Sequence, residues 1–119
     1  MIAALLHDYT SIKDYNLYED HHIHSANEAE IILKKYDYPI DKIKECIKSH
    51  RGSLKIDKLS KEPICVADAD VIAHIYNIPS LLYLAYKERN LSIKEGMKYV
   101  SSKLERSWET NVIIIADAV

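Results

Sequence analysis

A chain of 119 residues has room for one ordinary domain and too little for two, so a single hydrophobic core is the starting expectation. With 48% apolar and 29% charged residues it is globular in composition, and a formal net charge of -2 gives no overall field toward nucleic acid or an anionic membrane. No apolar run reaches the length of a membrane span and the N-terminus lacks the pattern of a secretory signal, which leaves a cytoplasmic location as the default.

The chain opens on "MIAALLHD", an apolar helical stretch with no capping residue ahead of it, a pattern that suggests preceding helical turns and a shortened start. "YTSIKDYNLYEDHH" has no sustained period and several turn formers, so it reads as a loop. From His24 to Tyr36 the residues are strong helix formers with Ala26, Ala29, Ile32 and Leu33 on one face. Ser25 and Glu28 fit a capping box, which puts His21, His22 and His24 at or just before that helix start. "YPIDKIKECIKSHRG" predicts a further helix in which Ile43, Ile47 and His50 follow one buried stripe, ended by Gly52.

Residues 53–60 read as a connector, followed by a helix from Ser60 or Glu62 through "EPICVADADVIAHIY", with Pro63 tolerated in the first turn. Asn77 and Pro79 punctuate the chain before a short helix, "SLLYLAYKE". The last helix starts at a second capping-box signal, Ser92 and Glu95, and carries Ile93, Met97, Val100 and Leu104 as its apolar set. The tail "NVIIIADAV" fits either a short strand or a helix. Five or six helices are expected in all. Cys46 and Cys65 sit in apolar patterns and read as small buried hydrophobes.

Several polar residues do not suit a plain core. His7 and Asp8 end a strongly apolar segment, where two metal-competent groups can turn toward one cation; a solvated helix end is the alternative. His50 on its stripe is either a hydrogen-bonded core histidine or a ligand. Asp68 and Asp70 lie in an almost wholly apolar helix, where an uncompensated carboxylate costs several kcal/mol. Asp70 and His74 share a helix face, so Asp70 is the better candidate for a central site and Asp68 a supporting or packing group.

The combination "AALLHD", a histidine four residues ahead of a Ser-Ala helix, "IKSHRG" and "VADADVIAHI" resembles the HD-domain superfamily of metal-dependent phosphohydrolases over roughly residues 2–107. The resemblance implies an all-α, compact helical bundle in one domain over 1–119. It also implies a divalent metal held by His7, Asp8 and Asp70, joined by His21 and His50 where two ions bind, with Asp8 bridging them. His22 and His24 are alternatives to His21. The family's first histidine belongs on a helix upstream of His7, and only six residues precede His7 here. Either the start is shortened or one ligand fewer serves; a complete chain would recruit His24 or be catalytically dead.

Imidazoles and carboxylates together suit one or two ions of Mn, Fe, Zn, Ni or Co and, less naturally, Mg. The implied reaction is hydrolysis of a nucleotide or other small phosphate ester or anhydride through a metal-bound water, with Asp8 as its catalytic carboxylate. Lys13 and Arg51 are the candidate phosphate contacts, Arg51 favoured by its fork geometry. A surface pair of Lys13 with Asp14, and an exposed helix end at Arg51, are the plain readings. The missing histidine motivates an alternative, a noncatalytic ligand-sensing or interaction module of the same fold, and a purely structural helical protein or other metal chemistry come after it. The basic stretch from Lys44 to Lys61 spans a helix end and a loop and is broken by acidic residues, which argues against nucleic acid as partner. The partner implied is a small phosphorylated molecule. A homo-oligomer is left open.

Overall fold

The computed structural model describes residues 1–51 and 60–117, with side chains described through residue 109. The connector expected over 53–60 thus falls, apart from Ser60, outside the described residues. Among those described the fold is all-α, with no strand. Contacts divide the chain into two units, Met1–Ala67 and Asp68–Val119.

The first unit holds α1 (Ile2–Leu6), α2 (Tyr9–Lys13), a 3-10 turn (Tyr15–Leu17), α3 (His21–Leu33), α4 (Ile40–Ser49) and the start of α5 (Lys61–Tyr76). Its apolar cluster is built on α3 against α4: Ala26, Ala29 and Leu33 meet Ile43, Cys46 and Ile47, with Ala3 of α1 closing one side. The two alanines are wholly buried, and their small side chains allow the helix backbones to approach. Ile47 is also fully buried, a contribution of about 1.5–3 kcal/mol. Glu30 of α3 pairs with Lys44 of α4 at the rim. Lys42 Nζ donates to Ser60 Oγ at 2.5 Å and lies 3.3 Å from Glu62, so α4 fixes where α5 begins.

Several local expectations change. The loop expected over residues 9–22 contains α2 and the 3-10 turn, because Asp14 accepts from the Asn16 backbone N–H at 3.0 Å and supplies a cap that needs no longer-range period. The Ser25–Glu28 box is not the start of α3, which begins four residues earlier at His21; Ser25 is buried, with its hydroxyl committed to Thr10. Cys46 is buried as expected, whereas Cys65 on α5 is exposed.

The second unit continues α5 and adds α6 (Ile78–Tyr83), which widens into a π-helical turn (Leu84–Glu88), and α7 (Ile93–Asp117). Asn90 takes a left-handed φ of 50°, which asparagine tolerates, and the Leu91 N–H closes on the Ala85 carbonyl. The Ser92–Glu95 box forms: Glu95 accepts from the Ser92 N–H at 3.0 Å and from its hydroxyl at 2.5 Å. Helix α7 runs on to Asp117, so the ambiguous tail is helical through that residue. The apolar cluster here is Leu81, Ala85 and Val100, with Leu104 packed beside them. Ile93 and Met97 are 80% and 58% exposed, against their expected place on the buried face. The face that packs is instead Gly96, Val100 and Leu104, spaced by four.

Gly96 is what allows this choice. A Cβ there would overlap Cε1 of the Tyr86 ring and lie 2.9 Å from Cδ1, and the ring is tethered by its hydroxyl, which donates to the Ile93 carbonyl at 3.3 Å. Helix propensity alone favours alanine by about 1 kcal/mol, but overpacking costs about 1–3 kcal/mol. Gly96→Ala is therefore expected to lower the thermal midpoint; a rise on thermal denaturation would mean that the Tyr86 ring gives way without cost.

Candidate metal centre

Three helix ends and one break between helices converge in the first unit. His7 is the C-terminal cap of α1 and His50 that of α4, both in right-handed helical conformation. The last carbonyls of a helix have no partner within it. Here the imidazole supplies one: His7 Nδ1 lies 2.8 Å from the Ala4 carbonyl and His50 Nδ1 2.6 Å from the Ile47 carbonyl. His21, the first residue of α3, repeats the arrangement with Nδ1 2.5 Å from the Tyr18 carbonyl, at the end of the 3-10 turn. In all three the carbonyl belongs to the residue three positions back.

A carbonyl only accepts, so each Nδ1 carries the proton and each neutral ring presents an Nε2 lone pair. These three lone pairs meet at Asp8. Its Oδ1 is 3.0 Å from His21 Nε2 and 3.7 Å from His50 Nε2, and its Oδ2 is 3.2 Å from His7 Nε2. His21 Nε2 and His50 Nε2 are 3.0 Å apart. One ligand atom from each of His7, Asp8 and His50 lies within 4.8 Å of the other two. Acceptors at these separations need a proton or a cation between them.

Asp8 sits where α1 gives way to α2, with φ -103° and ψ 6°, in the sparsely occupied bridge region frequented by functional residues. Ser11 Oγ donates to its carbonyl at 2.9 Å, which holds the break in place. Burial pushes the Asp8 carboxyl up, but when the His21 and His7 rings are protonated their hydrogen bonds and charge outweigh it and hold the group well below the usual carboxylate range. The carboxylate is therefore ionised at neutral pH. The side chains of His21 and His50 are 7% and 3% exposed and that of Asp8 41%, so the cluster opens to solvent on the carboxylate side.

The structure thus brings together His7, Asp8, His21 and His50. His22 and His24, the alternatives to His21, do not reach Asp8 in any described contact; His22 meets His21 edge-on with ring centroids 6.0 Å apart. Burial and then the nearby Arg51 charge hold the His22 imidazole below its ordinary value. The Arg51 guanidinium donates to the Glu19 carbonyl, just ahead of α3. Lys13 is exposed, its ammonium 5.9 Å from the centre of the Tyr9 ring, while Asp14 is engaged by Asn16. Asp70 belongs to the second unit, where its Oδ2 lies 3.7 Å from His74 Nδ1 in the i,i+4 pairing expected on α5. Asp68 is half-buried, burial pushes its carboxyl up, and its Oδ1 has no hydrogen-bond partner among the described residues.

Residues 1–75, from α1 to the last turn of α5, match the family described as the HD domain. The chain belongs to the HD-domain family. No curated protein and no solved structure matches it. HD domains form a superfamily of metal-dependent phosphohydrolases and typically bind divalent metals. The donors of His7, Asp8 and His50 could hold such an ion: nitrogen and oxygen donors of this kind suit Zn, Fe, Co, Ni or Mn, and imidazole ligands characteristically donate their other N–H to a carbonyl or carboxylate. Sequence reasoning missed those carbonyls, of Ala4, Tyr18 and Ile47, along with Thr10. A histidine at the final position of two separate helices is the signal that points to them.

No described helix is long and apolar enough to cross a membrane. In long-range proton–nitrogen NMR spectra recorded at alkaline pH, His7, His21 and His50 are expected in the Nδ1–H tautomer. An Nε2–H tautomer at two of the three would overturn the orientation described.

Proposed function

We propose that this HD domain is a divalent-metal-dependent phosphohydrolase acting on a nucleotide or another small phosphate ester or anhydride. The observation that carries this reading is the convergence of three imidazole lone pairs on the ionised Asp8 carboxylate, an arrangement that calls for positive charge at its centre. His7, Asp8, His21 and His50 are the proposed ligands, with Asp8 the carboxylate shared between ions where two are held. The family resemblance adds Asp70. A bound divalent cation polarises a phosphoryl oxygen and acidifies water, which is the chemistry phosphate hydrolysis needs.

The chain's own groups supply the rest. Asp8, the most exposed of the four, lines the side from which a phosphorylated molecule enters. Arg51, anchored on the Glu19 carbonyl, offers its remaining N–H groups to non-bridging phosphate oxygens. Lys13, five residues beyond Asp8 at the end of α2, is the second candidate contact.

Elemental analysis of tag-free protein, before and after reconstitution with Mn, Fe, Co, Ni and Zn, is the decisive measurement. The wild-type chain is expected to hold one or two equivalents, Asp8→Asn to lose them, and Asp70→Asn to test the resemblance-based ligand separately. Hydrolysis of nucleotides, cyclic nucleotides, pyrophosphates or sugar phosphates by the loaded wild type would complete the case; bound metal with no turnover of any of them would assign the chain instead to a ligand-sensing module. No metal under any of these conditions would overturn the reading.

Acidification gives a second expected outcome. Protons compete with the ion for imidazole and carboxylate ligands, so affinity is expected to fall on acidification. An affinity that does not change on acidification, followed by metal titration, would exclude imidazole ligation.

A further inference from the structure

Thr10 and Ser25 form a closed chain of hydrogen bonds between the backbone that carries Asp8 and the backbone that carries His21. The Thr10 N–H donates to Ser25 Oγ at 3.1 Å, the two hydroxyls are 2.9 Å apart, and Thr10 Oγ1 donates to the His21 carbonyl at 3.3 Å. The proton count closes: with the Thr10 hydroxyl spent on His21, the Ser25 hydroxyl donates to Thr10 Oγ1. Thr10 is 3% exposed and Ser25 fully buried, so water does not compete, and breaking one bond leaves a buried polar group without its partner. Thr10 lies two residues after Asp8 in the turn whose first carbonyl, that of Asp8, accepts from the Ile12 N–H at 3.1 Å. Ser25 lies one turn after His21 on α3.

We infer that Thr10 and Ser25 are positioning residues that set the spacing between the Asp8 carboxylate and the His21 imidazole, and through it the affinity and coordination of the metal centre. Helix α2 has five residues, too few to persist by itself, so its docking on α3 depends on contacts such as these. Groups that orient metal ligands from outside the coordination sphere change metal affinity when they are removed. Neither residue touches the cluster of Nε2 and carboxylate atoms; both act through the backbones that bear them. Ser25 is thus diverted from helix capping to a tie between elements.

This inference rests on the metal-dependent reading above, and Co2+ titration separates the two. Wild type, Thr10→Val, Thr10→Ser and Ser25→Ala are compared for Co2+ affinity, the visible absorption band of the bound ion, and the melting temperature of the metal-free protein. Thr10→Val, which keeps the shape and removes the hydroxyl, is expected to bind about 10–100-fold more weakly with a shifted band. Thr10→Ser, which restores the hydroxyl, is expected to return both toward wild type. Should Thr10→Val not fold, Ser25→Ala is read in the same way. A lower melting temperature with wild-type affinity and an unchanged band would mean a merely structural role and would overturn the inference alone. A wild-type protein that takes up neither Co2+ nor any of Mn, Fe, Ni and Zn would remove the metal-dependent reading, and this inference with it.

Discussion

The centre depends on one repeated interaction: an imidazole Nδ1–H donated to the backbone carbonyl three residues earlier. At the ends of α1 and α4 it does two things at once. It satisfies a carbonyl that the helix leaves open, and it turns Nε2 away from the helix toward a common point. Because the carbonyl fixes the tautomer, the ligand nitrogen is chosen by the fold before any ion arrives. The carboxylate at the common point then becomes an electrostatic requirement, since three lone pairs and an anion repel unless something positive lies among them.

What brings those helix ends to one place is the packing of α3 on α4. Small side chains at Ala26 and Ala29 against Ile43 and Ile47 set the distance between the helices, and the stripe that buries Ile43 and Ile47 ends on His50. The core and the centre therefore share a helix face. The second unit solves a similar problem by different means: its close approach is between Gly96 and the Tyr86 ring, and its chain reversal uses a left-handed Asn90.

Much of this was legible from spacing. The i, i+4, i+7 stripe located Ile43, Ile47 and His50 correctly because burial on a regular helix depends only on period, and the Ser92–Glu95 box formed because both partners are local and exposed. Ser25–Glu28 has the same pattern and did not act as one, since a buried Thr10 fifteen residues away competes for the serine hydroxyl. No local rule contains that competitor. Residues 9–17 escaped for a related reason: α2 is one short turn with almost no period to read, and the following 3-10 turn is set by Asp14 and Asn16 alone. His7, Asp8, His21 and His50 were visible as residue types, and their assembly followed from the family pattern. The three carbonyls that orient them carry no side-chain identity, and only the placing of His7 and His50 at helix ends hints at them. On α7, Ile93 and Met97 misled because a glycine, silent on any hydropathy scale, defines the face that packs.

The brevity of α1 and α2 has a further consequence. With five residues each, both fall below the length at which helices sustain themselves, so residues 1–14 take their order from α3 and α4. His7 and Asp8 ride on that segment; His21 and His50 ride on the stable pair. An ion held by all four would therefore tie the segment that has no helical stability of its own to the helix pair on which it leans, so that binding would add to the folding stability of residues 1–14.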